Sequence, residues 1–358
     1  MFFTRKRILT FSGYFIIILA IRIFSSFPEL VERYYSTGIY VYLSKLQRAV
    51  TGIFPFSLGD IFYGIVIIWV IRKLVKILWN FNEIRASPRS YLSRVAWKIF
   101  NAGCIIYIWF NISWGLNYNR PSLMEEFAHP VTHPEKEDLV ELMEFLHNRM
   151  TEDFDDAVTG RNALNDNRYI YKEAAKAFNK LALEEPEYAY SPASLKTSLY
   201  SYAGNYLGFT GYYNPFSGEA QVNTSIPEFA RPFVACHEIA HQLGRAKENE
   251  ANFTGFRAAI SSEIPAFRYS AYFDMYFYSR RILYRMDTLL VRSLDEKMHP
   301  GVKEDYTRLT EFHSSYKNPV EAVIDRLYGR YLQANQQPSG KESYAEGVLL
   351  LLSWRKSL

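Results

Sequence analysis

Residues 232–253 read PFVACHEIAHQLGRAKENEANF, and the first half of this stretch has no proline or glycine between Pro232 and Gly244. That composition predicts a helix that Gly244 closes. At 3.6 residues per turn His237 and His241 fall one turn apart on the same face, so two imidazoles can converge on one tetrahedral Zn²⁺. Cys236, Ala240 and Leu243 then point elsewhere, into packing. Glu238 adjoins the first histidine and can reach a metal-bound water without being a ligand, which is the position of a general base in metal-assisted hydrolysis. Beyond Gly244 a second helix is expected, and its first turn offers Glu248 as a third ligand. Asn252 lies four residues further on the same face and is expected to orient a liganding histidine. Glu250 points off that face and stands as the reserve ligand. The competing reading makes the histidines ordinary packed or surface residues and the acids a solvated helix face.

Upstream, residues 208–223 read GFTGYYNPFSGEAQVN, where glycines and Asn214-Pro215 signal turns and the aromatics suit short strands. A hairpin is expected here, bordering the cleft with an edge able to pair with an extended substrate. Tyr212 and Tyr213 are therefore candidates to donate to a developing oxyanion, although the 28 tyrosines leave that role unassigned. Helical patterning recurs at 134–150, 169–184 and 265–294, and the apolar run 348–354 is too short to span a bilayer. Residues 119–358 thus read as one mostly α (α+β) domain with a small hairpin or sheet. The histidines at 129, 133, 147, 299 and 313 have no partner at ligand spacing and read as loop or surface residues.

Before residue 119 the chain is apolar. Residues 8–27 follow Arg5, Lys6 and Arg7 and are long enough to cross a hydrocarbon core of roughly 30 Å. A cleaved signal peptide is the rival reading, but Arg22 interrupts the run and no small-residue cleavage site follows. A second span is expected at 56–77, with Asp60 near its start and Arg72 and Lys73 within it. A third, at 99–118, ends in Trp114-Gly115-Leu116-Asn117-Tyr118 as an aromatic interface anchor. Buried core helices are the alternative for these two. Basic residues cluster in the N-terminal tail and, from the end of the second span to the start of the third, at Arg72, Lys73, Lys76, Arg85, Arg89, Arg94 and Lys98. Both regions belong on the cytoplasmic side, which places the domain after three spans in the periplasm or outside the cell.

A formal charge of +4, from 41 basic and 37 acidic residues, is too small to indicate a nucleic-acid partner. The two cysteines, Cys104 and Cys236, allow neither a disulfide framework nor a cysteine-based zinc site.

Four stretches carry a resemblance: WGLNYNRP at 114–121, GYYNPFSGEAQVN at 211–223, the 232–253 stretch, and RYLQANQQPSGKESY at 330–344. Through them the chain resembles an uncharacterised family of bacterial inner-membrane proteins, a domain of unknown function with three N-terminal spans and a zinc-peptidase-like domain. The resemblance implies a gluzincin-like site in which His237, His241 and a Glu of the ENEAN segment are ligands and Glu238 is catalytic. Better-known gluzincins carry Asp where this chain has Asn252, and thermolysin-like enzymes have a longer spacing than His241 to Glu248.

The function expected is hydrolysis of peptide bonds in the cell envelope by a membrane-anchored, zinc-dependent metallopeptidase, with the bilayer and an envelope peptide or protein as partners and no nucleic acid. The alternatives are a non-catalytic zinc-containing sensor or scaffold, and a zinc hydrolase of a non-peptide amide.

Overall fold

The computed structural model describes residues 4–79 and 88–357, so Arg85, used above for orientation, lies outside the described residues. The chain is mostly helical. Helix α1 (Arg5–Ser25) starts with Thr4 accepting from the Arg7 amide. A helical segment follows, built from Pro28–Leu30, a π-helical stretch Val31–Ile39 and α2 (Tyr40–Thr51). Next come α3 (Leu58–Trp79) and α4 (Pro88–Ser113).

Among the described residues, two helices are long and apolar enough to cross a membrane, α1 and α4, where three were expected. The middle one, α3, falls short because Asp60, Arg72, Lys73 and Lys76 leave no long uncharged window. Its uncharged run 61–71 covers only about 16 Å at 1.5 Å per residue. The third expected span is also displaced: α4 begins at Pro88 and ends at Ser113, not at residue 118. Residues Gly115–Asn119 form a 3₁₀ turn, and Trp114, Leu116 and Tyr118 are buried rather than set at an interface. They are held there because the Trp114 indole donates to the His241 carbonyl (3.1 Å) and its ring packs edge-on against Tyr118 (5.0 Å). A buried indole N–H needs an acceptor, and the end of the histidine helix supplies one.

The remaining helices are α5 (Lys136–Thr159), α6 (Asn167–Leu181), α7 (Ser201–Leu207), α8 (Arg231–Gln242), α9 (Glu248–Ile260), α10 (Pro265–Met286), α11 (Thr288–Lys297), α12 (Pro300–Tyr316), α13 (Pro319–Ala334) and α14 (Ser343–Lys356). The helical pattern expected at 265–294 is two helices, because Asp287 leaves the helical region and caps α11 by accepting from the Leu290 amide. The main core lies where α5, α8, α9, α10 and α14 pack, around Leu142, Leu146, Phe256, Phe267, Phe273 and Leu351.

The hairpin of 208–223 is present as β2 (Gly211–Asn214) and β3 (Glu219–Val222), antiparallel, with Gly218 at a φ of +70° in the turn. A strand not anticipated from sequence, β1 (Leu195–Thr197), pairs parallel with β3, giving the order β1-β3-β2. Strand β2 is therefore an edge. The start of α3 is tied to this sheet: the Leu58 and Gly59 amides donate to Glu219 (3.0 and 2.6 Å), and Asp60 accepts from the Leu199 amide (2.8 Å) and the Tyr212 hydroxyl (2.5 Å).

Candidate metal centre

Helix α8 begins at Arg231 with Pro232 in its first turn, where a missing N–H costs nothing. It ends in a left-handed turn at Gly244 (φ +88°), with the Gly244 amide donating to the His241 carbonyl (3.0 Å) and the Arg245 amide to the Ala240 carbonyl (3.1 Å). This paired closure is the Schellman arrangement, and it reverses the chain within a few residues. A Cβ at Gly244 would also sit 2.9 Å from the Tyr40 ring. The reversal lets α9 start at Glu248, seven residues after His241, and return alongside α8. Gly255 permits the approach, since a Cβ there would lie 2.9 Å from the His237 nitrogen.

His237, His241 and Glu248 meet in the buried space this creates, and among the described residues they are the one group of side chains able to hold a metal ion. Their ligand atoms all lie within 4.8 Å of one another. Glu248 Oε2 is 3.3 Å from His237 Nε2 and 3.5 Å from His241 Nε2. Tetrahedral coordination with bonds of about 2.0–2.1 Å puts neighbouring ligand atoms about 3.3–3.4 Å apart, so these separations fit a zinc ion. Glu248 Oε2 is also a buried acceptor without a hydrogen bond.

The three side chains are held from behind. His241 Nδ1 donates to the Arg245 carbonyl at 2.7 Å, which turns Nε2 toward the cluster. The Tyr328 hydroxyl donates to the other Glu248 oxygen at 2.6 Å, and the Tyr344 ring stacks on His237 at 6.2 Å. Asn252 donates to the Tyr344 carbonyl (2.9 Å) and lies beside the His237 ring, whose Nδ1 has no hydrogen-bond partner. Glu250 lies elsewhere, accepting from the Leu123 amide and from Lys247. Tyr40 and Ser44 donate to the Gln242 carbonyl (3.0 and 2.8 Å), so carbonyls at the end of α8 find partners on α2.

Burial by itself would strip the proton from His241, but the adjacent Glu248 charge outweighs it and raises His241 to about 9. The same pairing overcomes burial at Glu248 and holds its carboxyl well below the usual range. Burial lowers His237. The metal-free cluster thus keeps one proton where a cation's charge would sit. Glu238 is raised to about 8, first by burial and further by the Glu248 charge; its Oε2 has no partner, and its Oε1 side packs on Gly211 of β2. Burial and the Glu248 charge also hold the Tyr328 and Tyr344 phenols well above their usual range, so both remain donors.

All four site residues open onto a cavity of about 1120 Å³. Tyr212 and Tyr213 both line it, but Tyr212 is engaged by Asp60 and Ser198, and Tyr213 is half-buried with its ring 5.0 Å from Trp114. Reading the sequence missed Tyr328, Tyr344, Trp114 and Tyr40, since no spacing rule marks residues that reach the site from distant segments. His147 and His299 do meet, the His147 ring accepting from the His299 amide (3.3 Å), at a helix start away from the cluster.

The molecule is thus a mostly helical protein with apolar N-terminal helices and a buried His-His-Glu cluster able to hold a metal. Residues 35–352 match the family model described as "Protein of unknown function (DUF3810)", which covers most of the chain, and the chain belongs to that family. No curated protein and no solved structure matches it.

Proposed function

We propose that this chain is a membrane-anchored zinc-dependent metallopeptidase that hydrolyses peptide bonds in the cell envelope. The observation that carries the reading is the buried trio of His237, His241 and Glu248, with the Glu248 oxygen 3.3 and 3.5 Å from the two Nε2 atoms and all three within 4.8 Å of one another, and with the unpartnered Glu238 Oε2 beside it on the same cavity. His237, His241 and Glu248 would hold Zn²⁺, which when bound lowers the pKa of water and polarises a carbonyl. Glu238 takes a proton from a water as the water oxygen bonds to the scissile carbonyl carbon. It returns that proton to the leaving nitrogen as the C–N bond breaks, giving an amine and a carboxylic acid, which then ionises. Strand β2 offers an unpaired edge next to Glu238 along which an extended backbone can lie.

The reading includes three membrane crossings with the N-terminus inside and the metal centre outside. Its support is that residues 65–71 of α3, from Ile65 through Ile71, are all exposed. A helix apolar on every face has no aqueous side, and hydrocarbon suits it.

The test is zinc content and activity of the full chain. Wild type is expected to bind one zinc and to cut peptides from a complex mixture; His237→Ala loses the zinc, and Glu238→Gln keeps it while losing hydrolysis. A folded wild type without zinc sinks the reading.

A further inference from the structure

The cavity that holds the metal ligands does not stop at the water-facing domain. It continues between the apolar helices, where Tyr63 and Ile67 of α3 and Gly103, Ile106 and Phe110 of α4 line it. These positions are spaced by three and four residues, so each helix gives one stripe to the cavity. Their neighbours Ile65, Ile68, Trp69, Ile105 and Trp109 are exposed on the other faces. The cavity wall and the outer apolar surface are thus two sides of the same helices, and the cavity joins an apolar compartment at one end to Glu238 and the edge strand at the other.

We propose that the substrate is a lipid-anchored peptide, whose acyl chain lies between α3 and α4 while a peptide bond near the anchor reaches the metal; the inference rests on the peptidase reading above. The edge strand at the metal end takes an extended backbone, so a membrane-spanning helical substrate would have to unwind to reach it, whereas a peptide on a flexible acyl anchor need not. An acyl chain bends to the available shape, and its burial is favoured by about 0.8 kcal/mol per methylene. Gly103 enlarges the apolar end: a Cβ there meets nothing within 4 Å.

The experiment uses the full chain, zinc-loaded, in phospholipid nanodiscs, with a palmitoylated hexapeptide carrying a photoreactive diazirine at the end of its acyl chain. Mass spectrometry reads both the adduct positions and any cleavage. Adducts are expected on Tyr63, Ile67, Ile106 or Phe110, and Gly103→Phe, which fills the space, should reduce them at least tenfold. Adducts confined to Ile68, Trp69, Ile105 and Trp109 place the chain in bulk lipid and overturn the inference, even if the peptide is cut. Equal displacement of the adducts by a non-acylated apolar helical peptide also overturns it. Cavity adducts on a probe that wild type and Glu238→Gln both leave uncut would support the occupant while removing the peptidase reading.

Discussion

Replacing Gly211 with alanine tests the position of the general base without touching a ligand. A Cβ at residue 211 would stand 2.4 Å from Glu238 Oε1, 2.9 Å from Cγ and 3.0 Å from Cδ, where ordinary contact begins at 3.4 Å. All three atoms belong to one side chain near its free end, so the carboxylate moves rather than the backbone. The shift needed is about 1 Å, the size of misplacement that costs about 10²-fold in rate, or about 2.7 kcal/mol of barrier. The strand itself tolerates the change, since Gly211 has no left-handed φ. Gly211→Ala is therefore expected to lower kcat about a hundredfold with bound zinc unchanged and a thermal midpoint near that of wild type. The assay pairs peptide hydrolysis with metal content by mass spectrometry. Full activity in Gly211→Ala would refute the assignment of Glu238 as base, and loss of zinc would refute the separation between base and ligands.

Gly255→Ala should behave differently, because its Cβ would meet the backbone of His237 at 2.9 Å and push α9 off α8; we expect a loss of about 1–3 kcal/mol in denaturant unfolding together with weakened zinc binding. Tyr328→Phe removes the hydroxyl 2.6 Å from Glu248 and should weaken zinc binding by about 10–100-fold in a chelator competition, with helicity retained. Zinc affinity should rise about tenfold per pH unit between pH 7 and 9, as His241, raised to about 9, gives up the proton that competes with the metal; calorimetry in two buffers should count about one proton released at pH 7. For the metal-free fold the sign reverses: the pairing of His241 stabilises fully below its ordinary 6.5 and is lost as pH rises through about 9, so the chelated protein should melt earlier across that window. Alkaline phosphatase fused at the C-terminus should be active, and green fluorescent protein there dark, if the metal centre is outside the cytoplasm; the opposite pattern removes the three-crossing topology.

What the sequence determined by itself was local. Residues at fixed spacing on a helix share a face whatever surrounds them, so His237 and His241, the stop at Gly244 and the hairpin after Gly211 were all legible from periodicity and turn chemistry. Glu248 was legible as the preferred third ligand, with Glu250 in reserve off that face, but only the Schellman reversal and the close approach at Gly255 bring its carboxylate to the histidines. For the middle span, hydropathy counts side chains without knowing that Asp60 is tied to Leu199 and Tyr212, so only the tertiary structure shows that the start of α3 belongs to the sheet. Trp114 and Tyr118 misled for a similar reason: an aromatic cluster after an apolar run suits a bilayer interface, and here it serves the end of α8 instead. Strand β1, the Tyr328 and Tyr344 backing and the cavity reaching between α3 and α4 were decided by tertiary structure alone. Strand β1 needs a partner strand about 25 residues further along, the two tyrosines come from eighty or more residues beyond the side chains they back, and the cavity is space left between helices; no spacing rule within one segment encodes any of these.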